Sequence, residues 1–274
     1  MVTAVNGRVE KERLITQMDD FTNIFSLSGK TALVAGGGGL GIPIARALGQ
    51  NGADIIVADL DTAATENIRA ELCESGRICE ALHVDLMDGD SITKMVSVAE
   101  NITGRIDILV NAAGINILKP AEEYDAYSWD KVLGVNLRGV HLTTSAVGRI
   151  MIRQQYGRIL SISSVKSFIG TDSDYVAYCA SKGALNMYTK QIACEWGRHG
   201  ITCNAIAPTF TRTPINSFQL DDPDFYSALV NRIPMGRICS TKDLGCAAVF
   251  LCSDAAEFIT GQILGVDGGL TAKQ

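Results

Sequence analysis

Seven short apolar runs recur along the 274-residue chain: TALVA at 31–35, DIIVA at 54–58, CEALHV at 79–84, DILV at 107–110, GRILSI at 157–162, ITCNAI at 201–206 and QILGV at 262–266. Longer stretches with helical periodicity separate them, at 41–51, 62–75, 90–102, 126–155 and 178–198. Strands apolar at successive positions have no solvated face, so they belong in a parallel sheet covered on both sides by the crossover helices. The pattern predicts an α/β fold: a single doubly wound Rossmann-type domain over 29–274, with about seven parallel strands. In that topology the ligand lies at the carboxyl ends of the strands. Residues 1–28 differ, with mixed charge and Leu14, Met18, Phe21 and Phe25 at helical spacing, and are expected to form an N-terminal arm on the body.

Composition excludes several classes of partner. Lys and Arg number 24 against 30 Asp and Glu, a net charge of -6, so there is no basic field to hold a nucleic acid. None of the eight cysteines forms a C-x-x-C pair, and His83, His141 and His199 lack ligand-like spacing; reduced thiols and no metal are expected. The apolar runs are too short to cross a bilayer, and Glu10, Lys11, Glu12 and Arg13 stand where an export signal would be basic and then apolar. A cytoplasmic protein is expected.

The first apolar run ends in AGGGGLG, Ala35 to Gly41, and a helical stretch follows directly. A phosphate approaches a backbone closely only where no Cβ intervenes, and the helix start offers unpaired N–H groups and a positive dipole end. Gly36, Gly39, Leu40 and Gly41 are therefore candidate contacts to a dinucleotide. Asp59 ends the second strand at the distance where a carboxylate meets a ribose diol, and no Lys or Arg adjoins it. That favours NAD over NADP. Asp61 reads as the N-cap of the next helix.

The segment YCASK at 178–182 puts Tyr178 and Lys182 four residues apart on one helical face. A phenol is a weak base near neutrality, and a neighbouring ammonium favours its phenolate, which would suit proton exchange with an alcohol.

With these residues the chain from Leu27 to Leu270 resembles the short-chain dehydrogenase/reductase family. The family's Y-x-x-x-K stands as Tyr178 and Lys182, its N-A-G as Asn111-Ala112-Ala113-Gly114, its strand-five serine in ISS at 162–164 and its helix-four asparagine in VNL at 135–137. Its C-terminal signature stands in FLCSDAAEFITGQILGVDGG at 250–269. The resemblance implies an NAD-dependent oxidoreductase that interconverts a secondary alcohol and a ketone. It assigns Tyr178 as acid/base, Lys182 to the phenol's pKa and the nicotinamide ribose, Ser164 to the reacting oxygen and Asn136 to a water in the proton relay. It adds Asp85, Leu86, Asn111, Ala112, Gly114, Pro208, Thr209, Thr211 and Thr213 as cofactor contacts, and it implies a homotetramer. The tetramer would pair through 126–155 and 178–198, with Leu142, Val147, Leu185 and Ile192 on their outward faces.

Three positions depart from the family pattern. Val34 and Ala35 replace a Thr and the first Gly of the glycine motif, Thr209 replaces a Gly after Pro208, and the Ser164-to-Tyr178 spacing is one residue long, which leaves Ser163 as a lesser candidate serine. Within the family the likeness is to sugar-acid and polyol enzymes of the gluconate 5-dehydrogenase kind, through AGINILKPAEEYD at 113–125, SSVKSFIG at 163–170 and DPDFYSALVNRIPMGR at 222–237. A substrate lid is expected near 209–235, and Lys119, Lys166 and Arg212 are the bases expected around an anionic or polyhydroxylated substrate. The alternatives are a 3-oxoacyl-carrier-protein reductase using NADPH and a non-catalytic dinucleotide-binding protein.

Overall fold

Strand β1 (Thr31–Ala35) is buried at every position, and its side chains alternate between two apolar layers. Ala32 and Val34 enter one cluster, Leu33 the other. The same parity holds in β2 (Asp54–Asp59), where Ile55 and Val57 face one layer and Ile56 and Ala58 the second. The computed structural model describes residues 22–73, 78–171, 174–213 and 216–273. Its remaining strands are β3 (Cys79–His83), β4 (Ile108–Asn111), β5 (Gly157–Ile162), β6 (Ile201–Pro208) and β7 (Ile263–Val266). All seven pair in parallel in the order β3-β2-β1-β4-β5-β6-β7. Strand order reverses between β1 and β4, which opens a crevice at their carboxyl ends.

Helices α1 (Gly41–Gln50), α2 (Thr62–Cys73), α3 (Gly89–Thr103), α4 (Ala126–Leu133), α5 (Val140–Gln154), α6 (Val176–Trp196), α7 (Ser217–Leu220), α8 (Pro223–Arg232) and α9 (Thr241–Cys252) complete the chain. Ile44 and Leu48 of α1, Ile68 of α2 and Leu244 of α9 fill one layer, while Met95 of α3, Val147 and Met151 of α5 and Ile192 of α6 fill the other. Burying one such side chain is worth roughly 1.5–3 kcal/mol. The helical stretch expected over 126–155 is two helices, because residues Gly134–Gly139 form a π turn between α4 and α5.

Helix starts are capped by acids and serines. Asp61 accepts the Ala63 N–H at 3.0 Å ahead of α2, as expected, and Ser240 and Asp243 form a capping box on α9. Helix α1, like α5, α6 and α7, has no side-chain cap: Leu40 at its N-cap supplies no acceptor, and its first turn carries no acid. The positive end of that helix is therefore left for a ligand.

The outward face differs from expectation. Val147, Leu185 and Ile192 are buried within the subunit, because α5 and α6 turn them inward, and Leu142 packs half-buried against the second layer. Tyr127 of α4 and Met187 of α6 point outward instead, 75% and 62% exposed. Of the expected N-terminal arm, Leu14, Met18 and Phe21 lie outside the described residues; the Phe25 ring sits 6.4 Å from that of Phe250.

Candidate active site

A cleft of about 570 Å³ runs along the carboxyl ends of the strands. Of the cofactor contacts expected from the sequence, Gly36, Gly39, Leu40, Asp59, Asp85, Leu86, Ala112 and Gly114 line it, with Pro208, Thr209, Thr211 and Thr213 on the β6 side. Ser164, Tyr178 and Lys182 line it as well.

The glycines divide into two kinds. A Cβ on Gly41 would stand 1.7 Å from the Gly36 carbonyl oxygen, and one on Gly36, whose φ is +110°, would stand 2.3 Å from the Ala113 nitrogen. These two let the loop, helix α1 and the β4 turn pack together. Gly38 would meet nothing within 4 Å, and Gly39 only Thr213 Cγ2 at 3.8 Å. The space at Gly38 and Gly39 lies before the uncapped start of α1, so the residues present fit a dinucleotide's phosphates. Asp59 steadies the loop: its Oδ2 accepts the Gly37 N–H at 2.6 Å and its Oδ1 the Asp61 N–H at 3.0 Å. Asp85 accepts the Met87 N–H at 2.8 Å, while its own N–H donates to Ser91 Oγ at 3.0 Å.

The other wall carries the reacting groups. Tyr178 and the Ser164 side chain line the same wall of the cleft. Ser164 also caps the short turn Val165–Ser167 by accepting the Lys166 N–H at 3.2 Å. Ser163, the lesser candidate, also lines the cleft, and its hydroxyl donates to Asn186 Oδ1 at 2.6 Å. Lys182 is buried, with its Nζ 2.7 Å from the Ile162 carbonyl oxygen and 5.5 Å from the centre of the Tyr178 ring. Asn136, on the π turn, accepts the Ile115 N–H at 2.8 Å and donates to the Ile115 carbonyl at 2.9 Å and to Ser181 Oγ at 3.1 Å. A Cβ on Gly114 would lie 3.4 Å from Lys182 Nζ and 3.6 Å from Asn136 Oδ1, so the absent side chain keeps these groups close.

Burial governs both titrating groups. It pushes the Tyr178 phenol up to about 12, with the Ser164 hydroxyl pulling weakly the other way. It brings Lys182 down to about 8.

Several expected site residues stand off the cleft wall. Asn111 at the end of β4 donates its amide to Thr144 Oγ1 at 3.1 Å and Ser161 Oγ at 3.4 Å, pinning β4 to α5 and β5 beside the cleft. Gly41 and Asn136 act behind the cleft wall, through the contacts above. Lys119 is paired with Asp125 and donates to Ser128 Oγ at 2.9 Å, and Arg212 is paired with Asp221 at 2.5 Å; neither lines the cleft. Lys166 does. Sequence reasoning missed Tyr175, Asn116 and Gln219 as lining residues. Tyr175 stands three residues before Tyr178, a helical spacing that could have found it. The segment 209–235, expected as a lid, contains α7 and α8, and Phe210 meets Phe225 edge-on with ring centres 5.7 Å apart.

Among the described residues no group of side chains could hold a metal ion, and no helix is long and apolar enough to cross a membrane. A short-chain dehydrogenase family model, described as Enoyl-(Acyl carrier protein) reductase, matches residues 34–271. The chain is 36% identical over 250 residues to a gluconate 5-dehydrogenase of Gluconobacter oxydans, covering 91% of this chain and 97% of the relative. It is 39% identical over 250 residues to a D-threitol dehydrogenase of Mycolicibacterium smegmatis, covering 91% and 95%. A gluconate 5-dehydrogenase from Burkholderia cenocepacia, solved in complex with NADP and tartrate, superposes with a TM-score of 0.87 at 35% identity, over 92% of this chain and 99% of that one. The chain belongs to the short-chain dehydrogenase/reductase family, and it is an oxidoreductase of secondary alcohols and ketones that uses a nicotinamide dinucleotide.

Proposed function

We propose that the enzyme interconverts a secondary alcohol and a ketone on a sugar acid or polyol, with NAD as the preferred cofactor. The observation that carries this is that Tyr178 and Ser164 line one wall of the cleft with Lys182 behind the phenol, in a cleft that also holds the glycine cradle. The names of the gluconate and threitol relatives support the substrate class.

In this reading Ser164 holds the reacting oxygen and Tyr178 takes or returns the hydroxyl proton. Lys182 lies on the proton's path, and Asn136 fixes the Ile115 backbone beside it. The nicotinamide ring, when bound, supplies the redox chemistry. The segment 209–235 serves as a lid over the substrate.

NAD is favoured by Asp59, whose carboxylate would repel a 2′-phosphate. Three solved relatives carry NADP, so both cofactors belong in the test. A cytoplasmic location is part of the reading, supported by the free thiols among the described cysteines. So is a homotetramer, supported by the outward Tyr127 and Met187, with sedimentation as its check.

The test is dinucleotide reduction by purified enzyme offered sugar acids, polyols and simple secondary alcohols, alongside 3-oxoacyl thioesters with NADPH. Turnover of the first two groups, abolished in Tyr178→Phe, is the expected result. Turnover of thioesters alone would replace this reading with the acyl-carrier one. A Tyr178→Phe enzyme keeping more than about a tenth of kcat, a loss under ~1.4 kcal/mol, would move the acid/base role elsewhere.

A further inference from the structure

Helix α6 begins on a residue that helix formation does not require. Tyr175 occupies the N-cap, and its side chain accepts no hydrogen bond from the helix. Ser, Thr, Asp and Asn satisfy the orphan N–H groups at that position; tyrosine, with its oxygen at the far end of a ring, does not. Backbone alone fixes the start, the Tyr175 carbonyl accepting the Cys179 N–H at 2.8 Å. The Tyr175 side chain has no capping role, and it lines the cleft.

Helix geometry sets its place beside the reacting group. Three residues apart, Tyr175 and Tyr178 are neighbours on one face, and their rings meet at 68° with centres 6.0 Å apart. The Lys166 Nζ lies over the Tyr175 ring, 5.0 Å from its centre, so a second contact fixes that ring's tilt. Tyr175 stands close enough to Tyr178 to oppose its ionisation. Burial pushes the Tyr175 phenol up, so it stays neutral and keeps a hydroxyl that both gives and takes hydrogen bonds. Among the described residues no partner takes that hydroxyl. It is left for what enters the cleft.

We infer that Tyr175 is a specificity-determining residue that hydrogen-bonds a second hydroxyl group of the substrate, near the carbinol held at Tyr178, so that the enzyme prefers diols to isolated secondary alcohols. The inference rests on the sugar-acid or polyol reading above and names the residue that recognises what both classes share. A substrate hydroxyl that reaches Tyr175 exchanges its bonds to water for one inside the cleft. A substrate with only hydrogen or methyl at that point strips water from the phenol and returns nothing. The contact needs no charge, so acids and neutral polyols both make it.

The test compares 2,3-butanediol with 2-butanol, which differ by one hydroxyl, in wild type and Tyr175→Phe, each with whichever of NAD and NADP gives the faster turnover. D-threitol, D-glucitol and D-gluconate are run beside them, with thermal unfolding to check that the variant keeps its fold. The expected result is a wild-type preference for the diol in kcat/KM of about tenfold or more, most of which Tyr175→Phe loses. The KM for the polyol or sugar acid turned over fastest should rise about tenfold in the variant, while the value for 2-butanol stays where it is, because the phenyl ring keeps its packing. A loss shared equally by the two butane alcohols would mean that the ring acts through Tyr178, and it would overturn the inference. An unchanged KM for every polyol and sugar acid would overturn it too, whether or not the small alcohols react, and would leave the polyol reading standing. Turnover of 3-oxoacyl thioesters alone would overturn both.

Discussion

Asn136 and Ile115 are joined by two opposed hydrogen bonds, the side-chain oxygen taking the backbone N–H at 2.8 Å and the side-chain amide giving to the carbonyl at 2.9 Å. The residue is fully buried on a π turn, and its amide also reaches Ser181. One side chain therefore ties the loop after β4 to α6 at Ser181, three residues after Tyr178.

Asn136→Ala leaves both Ile115 backbone groups without these partners, and a buried unsatisfied group costs about 1–3 kcal/mol. Denaturant unfolding should show a loss of that size or larger, with kcat falling alongside. Asn136→Asp can accept from Ile115 but cannot donate to it, so it should fall between the two. Wild-type stability in Asn136→Ala would mean that the pairing does not hold the loop.

Much of the fold was legible because strands buried on both faces read as unbroken apolar runs; β1 and β5 begin and end where TALVA and GRILSI do. The π turn between α4 and α5 was not, since GVNLRG reads as ordinary helix, and nothing in it marks Gly139 as the residue whose Cβ would stand 2.8 Å from the Leu86 carbonyl. The catalytic groups were legible as a motif, but their partners were not. A sequence shows that Lys119 and Arg212 are basic without showing that Asp125 and Asp221 neutralise them. Asn111 shows what parity adds: it shares a strand face with Leu109, so its amide meets Thr144 of α5 while its backbone ends β4 beside the cleft.

Lys182 gives a pH signature. Its ammonium titrates at about 8 in the folded protein, below the ordinary lysine value of 10.5 that applies on unfolding. Between those values the unfolded chain binds more protons, so this group makes stability rise with pH through the window and contributes no slope below it. Lys182→Met, of similar length and without charge, should be more stable than wild type by a margin that narrows from pH 7.5 to pH 9.5. Urea unfolding of both proteins across that range measures it. A constant or widening margin would contradict burial of the charged form.

Asp59 spends one hydrogen bond on Gly37 and one on Asp61, which leaves lone pairs on both oxygens for a ribose diol. Asp59→Asn keeps one acceptor and removes the charge that opposes a 2′-phosphate. Charged hydrogen bonds are worth about 1.5–3 kcal/mol, so the ratio of kcat/KM for NAD over NADP should fall by roughly tenfold to a hundredfold. Steady-state kinetics with both dinucleotides checks it. A wild-type enzyme that uses NADP as well as NAD would remove Asp59 as the selector.

Gly38 and Gly41 separate the two uses of the glycine loop. Gly41→Ala would drive a methyl group to 1.7 Å from the Gly36 carbonyl, and because that contact is with backbone the loop and α1 must part. Gly38→Ala meets nothing within 4 Å, and its φ does not fall in the left-handed range, so the folded protein should keep its stability within about 1 kcal/mol. Its new methyl group would stand in the open space before the uncapped helix start, where phosphates are expected. Gly38→Ala should therefore weaken dinucleotide binding by about tenfold or more, equivalent to ~1.4 kcal/mol, with little change in melting temperature. Gly41→Ala should lose binding and thermal stability together. Fluorescence titration with the reduced dinucleotide, run beside thermal unfolding, distinguishes the two, and normal binding by Gly38→Ala would place the phosphates elsewhere.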